Sequence, residues 1–357
     1  MNGQRYIRQT ALSGFGSEGQ AKLAASKVLV IGAGGLGIPV LVYLNAMGVG
    51  TLGIMDGDTV SYSNLHRQVL FDEVDVGRSK VNVAAQKLKA QNSTTHFVVR
   101  DSFLTHKNAL EVIAPFDVVV DASDNFPTRY LVNDACVILN KPFVYGALHG
   151  FEGQVSVFNH NHGPTYRCLF PKMPGPEEVP DCNTNGVLGI LPGIVGNFQA
   201  LETVKVIAGI GEVLSGKLLI YDGLSYRLST IKLKKNPSNL VIKELLGTYD
   251  LECGDGIKSI SVNQLQDLLK DRPLQLIDVR TPKEYEGHHL EGAKNIPLPN
   301  IKERSSEIDF DQPIYCICQS GNRSLKAIKV LQKLNPNTLM INVTEGMDNL
   351  RAHAAKY

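Results

Sequence analysis

The chain has 357 residues, with 36 Lys and Arg against 35 Asp and Glu for a formal net charge of +1, and it is 43% hydrophobic and 20% charged. At about 150 residues per domain this length suggests two domains, and the ordinary globular composition excludes disordered, collagen-like and low-complexity classes. The near-neutral balance leaves no basic footprint for nucleic acid, and no apolar stretch approaches the roughly 20 residues of a membrane span.

In chain order, Met1-Asn2-Gly3-Gln4-Arg5 lacks an apolar signal core, and six cysteines are too few and too irregularly spaced for a secreted disulfide scaffold. The expected compartment is the cytoplasm, with thiols reduced. The runs Val28-Leu29-Val30-Ile31, Leu52-Gly53-Ile54-Met55, Phe97-Val98-Val99 and Val118-Val119-Val120 alternate with helical patterns, which predicts an α/β fold with a wound sheet whose strands are buried on both faces. Phe143-Val144-Tyr145 and the alternating Gln154-Val155-Ser156-Val157-Phe158 extend it, a Pro-rich loop follows from Pro164 to Pro180, and a helix is expected over residues 194–207. Leu218-Leu219-Ile220-Tyr221 and Ser229-Thr230-Ile231-Lys232-Leu233 form a closing pair of strands. The pattern then loosens, so residues 1–245 read as one domain, 246–258 as a linker and 259–357 as a smaller α/β domain. Its expected elements are a helix over 262–269, a strand over 274–279, a strand over 314–317, a helix over 323–334 and a strand over 338–343.

The first strand runs directly into Gly32-Ala33-Gly34-Gly35-Leu36-Gly37 and an apolar helix, the context in which a glycine fingerprint lets backbone N–H groups hold a phosphate. The second strand ends at Asp56, whose carboxylate can accept hydrogen bonds from ribose hydroxyls. This motif alone does not separate a dinucleotide from ATP. Downstream, Ser63-Asn64-Leu65-His66-Arg67-Gln68 and Gly77-Arg78-Ser79-Lys80 supply the extra donors that a triphosphate needs, with Arg67, Lys80 and Asn64 as candidates, although each cation alone also fits a solvated loop. The segment Asp121-Ala122-Ser123-Asp124-Asn125 leaves a further strand at its carboxyl end, which makes Asp124 the candidate magnesium ligand and gives Asp121 the alternative of closing a turn.

These segments, with Arg5-Tyr6-Ile7-Arg8-Gln9 and Asp75-Val76-Gly77-Arg78-Ser79-Lys80, together resemble the MoeB/ThiF family over roughly residues 1–245. That family is related to ubiquitin-activating enzymes and adenylates the C-terminal glycine of small ubiquitin-like sulfur carriers. The resemblance implies a Rossmann-like adenylation domain in which Gly35, Asp56, Ser63, Asn64, Leu65, His66, Arg67, Lys80, Asp124 and Asn125 contact ATP or its magnesium. It also implies that Arg8 reaches in from a neighbouring subunit, and hence a homodimer. A carboxylate nucleophile is already ionised at neutral pH, so no dedicated general base is required.

Cys182, at the end of the Pro-rich loop in Asp181-Cys182-Asn183, matches the family's cysteine position, and a loop thiol there can capture an acyl-adenylate or resolve a disulfide. Many family members hold zinc with two CxxC pairs. Here the first pair has only Cys168 and the second reads Ser238-Asn239-Leu240-Val241, so no zinc site is expected and apolar packing is expected to close the region. Cys136 reads as a core residue.

In the smaller domain, Cys316-Ile317-Cys318-Gln319-Ser320-Gly321-Asn322-Arg323-Ser324 is a strand, a short glycine-containing loop and a helix start, which places Cys318 among backbone N–H groups at a positive helix end. With Asp278-Val279-Arg280, Glu284-Tyr285, His288-His289-Leu290-Glu291-Gly292-Ala293 and Asn295-Ile296-Pro297, it resembles a rhodanese domain over nearly all of residues 259–357. The resemblance implies that Cys318 carries persulfide sulfur and that Arg323 orients the loop and attracts anionic donors. Four residues separate Cys318 from Arg323, one fewer than in related phosphate-hydrolysing loops, which favours sulfur. Cys316 reads as a buried strand residue. The usual aromatic after the terminal Glu-Gly pair is replaced by Leu350.

The combined expectation is an ATP- and Mg2+-dependent enzyme that adenylates a ubiquitin-like sulfur carrier ending in Gly-Gly and converts it to a thiocarboxylate. A cysteine desulfurase or a small thiosulfate-like molecule is the expected sulfur donor, and molybdopterin, thiamine and thiolated-tRNA pathways all remain open. The nearest alternative is protein conjugation through a Cys182 thioester with the rhodanese domain accessory. An NAD-dependent oxidoreductase on the glycine loop is disfavoured by Arg67, Lys80 and Asp124.

Overall fold

A computed structural model describes residues 4–174, 186–247, 249, 257–271, 273–319, 321–344 and 346–347, and the chain divides into two units, Met1–Leu251 and Glu252–Tyr357. In the first unit α1 (Ile7–Thr10) and α2 (Gly16–Ala25) lead into β1 (Lys27–Ile31), followed by α3 (Gly37–Met47), β2 (Thr51–Met55), α4 (Lys80–Gln91), β3 (His96–Arg100), α5 (Ala109–Ile113) and β4 (Val118–Asp121). The chain continues through α6 (Phe126–Ile138), β5 (Phe143–His149), β6 (Glu152–Phe158), α7 (Tyr166–Leu169), α8 (Ile190–Ala208), β7 (Lys217–Asp222) and β8 (Arg227–Lys232).

These strands form one eight-stranded sheet in the order β3-β2-β1-β4-β5-β6-β7-β8. Pairing is parallel from β3 to β5 and antiparallel from β5 to β8. The all-apolar runs of β1 and β4 follow from burial on both faces. Val28 and Val30 pack in one core with Leu41 of α3 and Val195 of α8, while Leu29 and Ile31 pack in a second core with Ile113 of α5 and Tyr130 of α6. The edge strand β8 is exposed throughout. The strand order reverses between β1 and β4, and this opens a crevice at their carboxyl ends where a ligand can enter.

The helix expected over 194–207 begins four residues earlier, at Ile190. Pro192 falls in its first turn, where a missing N–H costs no intrahelical hydrogen bond.

The second unit contains β9 (Lys258–Ile260), α9 (Val262–Asp271), β10 (Gln275–Asp278), α10 (Pro282–Gly287), β11 (Lys294–Asn295), β12 (Ile314–Ile317), α11 (Asn322–Leu334) and β13 (Met340–Val343). Its sheet is parallel throughout, in the order β11-β10-β12-β13-β9. Ile277, Ile314 and Cys316 face Ala327, Ile328 and Leu331 of α11, whereas Leu276, Tyr315 and Ile317 face Val262 and Leu265 of α9. β9 and β11 were not expected, because both edges are short and mostly polar. Among the described residues, no helix is long and apolar enough to cross a membrane.

Candidate functional site

In the first unit the glycine loop leaves β1 at the reversal of strand order. A Cβ on Gly37 would lie 1.8 Å from the Gly32 carbonyl oxygen, so the helix can approach the loop this closely only with glycine there. Leu36, at the N-cap of α3, supplies no side-chain cap; Ile38 N–H donates to the Gly34 carbonyl at 3.0 Å and Pro39 has no N–H, so of the first three helical residues Gly37 is the one whose N–H can meet an anion. A Cβ on Gly35 would come 3.0 Å from Pro192 Cβ and 3.4 Å from Arg67 Cγ. The bare glycine therefore leaves a narrow space bounded by the start of α8 and the stem of Arg67, and such a cradle suits a phosphate.

Asp56 follows β2 and anchors this loop. Its Oδ2 accepts the Ala33 N–H at 2.7 Å and its Oδ1 the Asp58 N–H at 2.9 Å. Burial raises the Asp56 pKa above the ordinary aspartate value, opposed by nearby Lys80 and by the two backbone donors. Lys80, at the start of α4, is nearly enclosed and donates to Asp58 Oδ2 at 2.7 Å. In the preceding loop Arg67 Nη1 donates to the Ser63 carbonyl at 3.1 Å and lies 2.7 Å from His66 Nε2. Asn64 donates to Ser63 Oγ at 3.3 Å and accepts from Gln68 at 3.0 Å, while Leu65 packs on the core.

The exit of β4 forms the facing edge. Asp121 Oδ1 accepts the Ser123 N–H at 3.1 Å and its hydroxyl at 2.6 Å, so Asp121 closes a turn, the alternative role weighed for it. Burial raises its pKa. That turn leaves Asp124 exposed, and Asn125 caps α6 by accepting the Thr128 N–H at 2.9 Å. Asp56 is thus joined directly to the glycine loop, Lys80 is linked to it through Asp58, and the stem of Arg67 flanks Gly35, with Asp124 and Asn125 on the neighbouring strand exit. Arg8 lies exposed on α1, and no hydrogen bond or ion pair among the described residues joins it to this group.

In the second unit Cys318 follows β12 and is buried, accepting the Gly321 N–H on Sγ at 3.2 Å. Ser324 Oγ lies 3.4 Å from Sγ and 2.7 Å from Asn342 Oδ1. The loop is closed from the far side by Gly346. Met347 N–H donates to the Cys318 carbonyl at 2.9 Å, and a Cβ on Gly346, whose φ is +52°, would lie 2.2 Å from that same oxygen. Arg280 is wholly buried, donating to Asp278 Oδ2 at 2.7 Å and reaching Gln319 Oε1 at 3.3 Å.

Arg323 does not stand as a free cation. Its Nη1 and Nη2 donate to the two oxygens of Glu284 at 2.8 and 2.7 Å, and Glu284 also accepts the Thr281 N–H and hydroxyl in a capping box. Arg323 holds the Glu284 carboxyl well below the usual carboxylate range. Cys316 is buried as expected, and burial pushes its thiol up to about 12.

Residues 6–241 match the ThiF family. The chain belongs to the ThiF family. Residues 261–353 match the rhodanese-like domain, so a rhodanese domain follows the ThiF-family domain. An Anopheles gambiae protein named adenylyltransferase and sulfurtransferase MOCS3 is 41% identical over 359 residues, covering 92% of this chain and 81% of that protein. The mouse protein of the same name is 39% identical over 391 residues, covering 99% of this chain and 85% of its own length. Among solved structures, a crystal structure of E. coli MccB with ATP superposes with a TM-score of 0.59 at 23% identity, covering 66% of this chain and 73% of that one, which shows the fold they share.

Within this ThiF-family domain, Cys182 lies outside the described residues. Cys136 is fully buried and its thiol is pushed well up by burial. Around Cys168 the expectation of apolar closure is corrected, because hydrogen bonds join the two segments. Cys168 Sγ accepts the Asn236 N–H at 3.3 Å, Thr165 Oγ1 donates to the Asn239 carbonyl at 3.3 Å, and Asn239 Nδ2 donates to the Arg167 carbonyl at 2.8 Å. Nearby, Asp134 takes two 2.7 Å bonds from Arg167 and one of 2.7 Å from the Tyr249 hydroxyl. Nothing local in the sequence signals this cluster, since its members are 33 and 115 residues apart.

Proposed function

We propose that this ThiF-family chain uses ATP to adenylate the C-terminal glycine of a ubiquitin-like sulfur carrier and then supplies sulfur to it through a persulfide on Cys318, with adenylation in residues 1–245 and sulfur transfer in residues 259–357. The observation that carries the reading is the pairing, in one chain, of an uncapped helix N-terminus and open glycine cradle with a buried cysteine whose sulfur accepts a loop N–H. The names of the relatives, adenylyltransferase and sulfurtransferase, support the same pair of activities.

In the first step a carrier carboxylate oxygen bonds to the α-phosphorus of ATP and pyrophosphate departs. Two anions must meet, and Arg67 and Lys80, with Arg8 of a second subunit, offset their repulsion. The Gly37 N–H and the Gly35 cradle receive phosphate, Asp56 accepts ribose hydroxyls, and Ser63, Asn64, Leu65, His66 and Asn125 line the nucleotide. Magnesium, when bound, neutralises charge on the departing pyrophosphate. Asp124 suits it because its carboxylate is exposed at the strand exit and spared from the turn that Asp121 closes.

In the second step the terminal sulfur of Cys318 persulfide attacks the acyl-adenylate carbonyl, the C–O bond to AMP breaks, and an acyl disulfide forms. A thiol, assigned to Cys182, then attacks the Cys318 sulfur. The carrier leaves as thiocarboxylate and a Cys182–Cys318 disulfide remains for an external thiol reductant. Arg323 and the Gly321 N–H steady the loop that holds the sulfur anion. The reading includes a homodimer, a cysteine desulfurase as donor, no zinc, and function in the cytoplasm.

The test is ATP–pyrophosphate exchange with candidate carriers ending in Gly-Gly, followed by mass analysis of the carrier C-terminus. Exchange that appears only with a carrier, and a carrier mass shifted by replacement of oxygen with sulfur, support the reading. Absence of exchange with every carrier tried, despite MgATP binding, overturns it.

A further inference from the structure

The Cys318 site holds two described arginines, and each is answered by its own carboxylate. Arg280 is buried against Asp278, and Arg323, about one-third exposed, is held by Glu284 through two parallel hydrogen bonds. Glu284 dominates the surroundings of Arg323, and Cys318 and Asp278 also act on its charge. Among the described residues these two pairs sum to zero, so a thiolate at Cys318 adds a negative charge that neither arginine is free to answer. The task of attracting anionic donors would need the Arg323 charge, but the Nη1–Nη2 edge of its guanidinium is paired with the Glu284 carboxylate. That carboxylate is also fixed in place, because the Thr281 N–H and hydroxyl hold one of its oxygens at 2.9 and 2.6 Å. It cannot swing aside without breaking the cap of α10.

Resting on the sulfur-transfer reading above, we propose that Glu284 determines donor selectivity by masking Arg323, so that the site discriminates against small dianionic sulfur donors such as thiosulfate and accepts alkyl persulfides of lower charge. With thiosulfate, the Cys318 thiolate attacks the outer sulfur, an S–S bond forms as the bond to the sulfonate sulfur breaks, and sulfite leaves. The thiolate and dianion become persulfide anion and sulfite dianion, so charge balances, but two like-charged reactants must meet where both described arginines are already paired. With cysteine persulfide the thiolate attacks the terminal S–H sulfur, giving Cys318 persulfide and cysteine thiolate, and the repulsion is weaker.

The experiment follows loading of Cys318 in the full chain by the mass gain of one sulfur, with thiosulfate or cysteine persulfide, at low and high salt. For Glu284→Gln, the thiosulfate to cysteine persulfide ratio of kcat/KM rises by about tenfold or more, and the rise shrinks with salt because screening weakens the unmasked charge. For Thr281→Ala, which loosens the cap but leaves the ion pair, the ratio stays within about twofold. An unchanged ratio in Glu284→Gln, an equal rise in Thr281→Ala, or a wild-type chain equally served by both donors overturns the proposal while leaving sulfur transfer standing. Loading by neither donor overturns the sulfur-transfer reading itself, and the proposal falls with it.

Discussion

The Lys80 ammonium lies 2.7 Å from the Asp58 carboxylate, with the lysine side chain 6% exposed and the aspartate 54%. The pair holds a buried cation beside the glycine loop, where Asp56 is already anchored to Ala33. Asp58 therefore sets the resting position of a charge that the proposed reaction uses against phosphate.

Lys80→Ala is expected to lower carrier-dependent ATP–pyrophosphate exchange by about a hundredfold or more, the scale for removing one group aimed at charge in a transition state. Asp58→Asn keeps the cation and loses only its anchor, so a loss within about tenfold is expected. Equal losses in the two variants would mean that Lys80 acts through the fold.

Asp56 gives the nucleotide site a pH signature. Burial favours its protonated form, so its contribution to stability is fully present below the ordinary aspartate pKa and is lost as pH rises through the raised value. Ribose hydroxyls are best accepted by the ionised form, so MgATP affinity should begin to fall, on acidification, above the ordinary aspartate range. Calorimetric titration at stepped pH checks this. Asp56→Asn should bind about tenfold more weakly near neutrality and lack that limb; a variant with the wild-type pH profile would remove Asp56 as its origin.

Gly346→Ala tests the support beneath Cys318. The added Cβ would meet the Cys318 carbonyl at 2.2 Å and the Gln319 carbonyl at 2.5 Å, at a φ of +52°. Sulfur loading of Cys318 should drop by about tenfold or more, with at least about 1 kcal/mol of local strain, while ATP–pyrophosphate exchange is unaffected. Unchanged loading would show that the loop tolerates the shift.

These predictions separate what the sequence made legible from what it did not. The strands around Val28–Ile31 and Val118–Val120 were readable because burial on both faces leaves unbroken apolar runs, and the loop motifs between them because phosphate binding restricts backbone and charge at fixed spacings. Polar edge strands such as Lys294–Asn295 carry no such pattern. Pairings across the chain are equally silent: Glu284 and Arg323 lie 39 residues apart, and only the β10-β12 adjacency brings α10 to the start of α11 and pairs the arginine's charge. The Asp134, Arg167 and Tyr249 cluster is invisible for the same reason.

Zinc content offers an independent check. Protein prepared in metal-free buffer should hold less than about 0.1 zinc per chain, since a structural site needs four ligands. Cys168→Ser should change thermal stability little, because a hydroxyl can also accept the Asn236 and Thr165 N–H groups that now meet sulfur. Stoichiometric zinc would contradict this part of the account.

The most direct measurement is thiocarboxylate formation alongside ATP–pyrophosphate exchange, in the wild-type chain and in Cys318→Ala, with one active Gly-Gly carrier. The account predicts carrier-dependent exchange in both, within about twofold, and thiocarboxylate only with Cys318 present. Thiocarboxylate formed without Cys318, or exchange lost together with it, would contradict the division of labour between the two units.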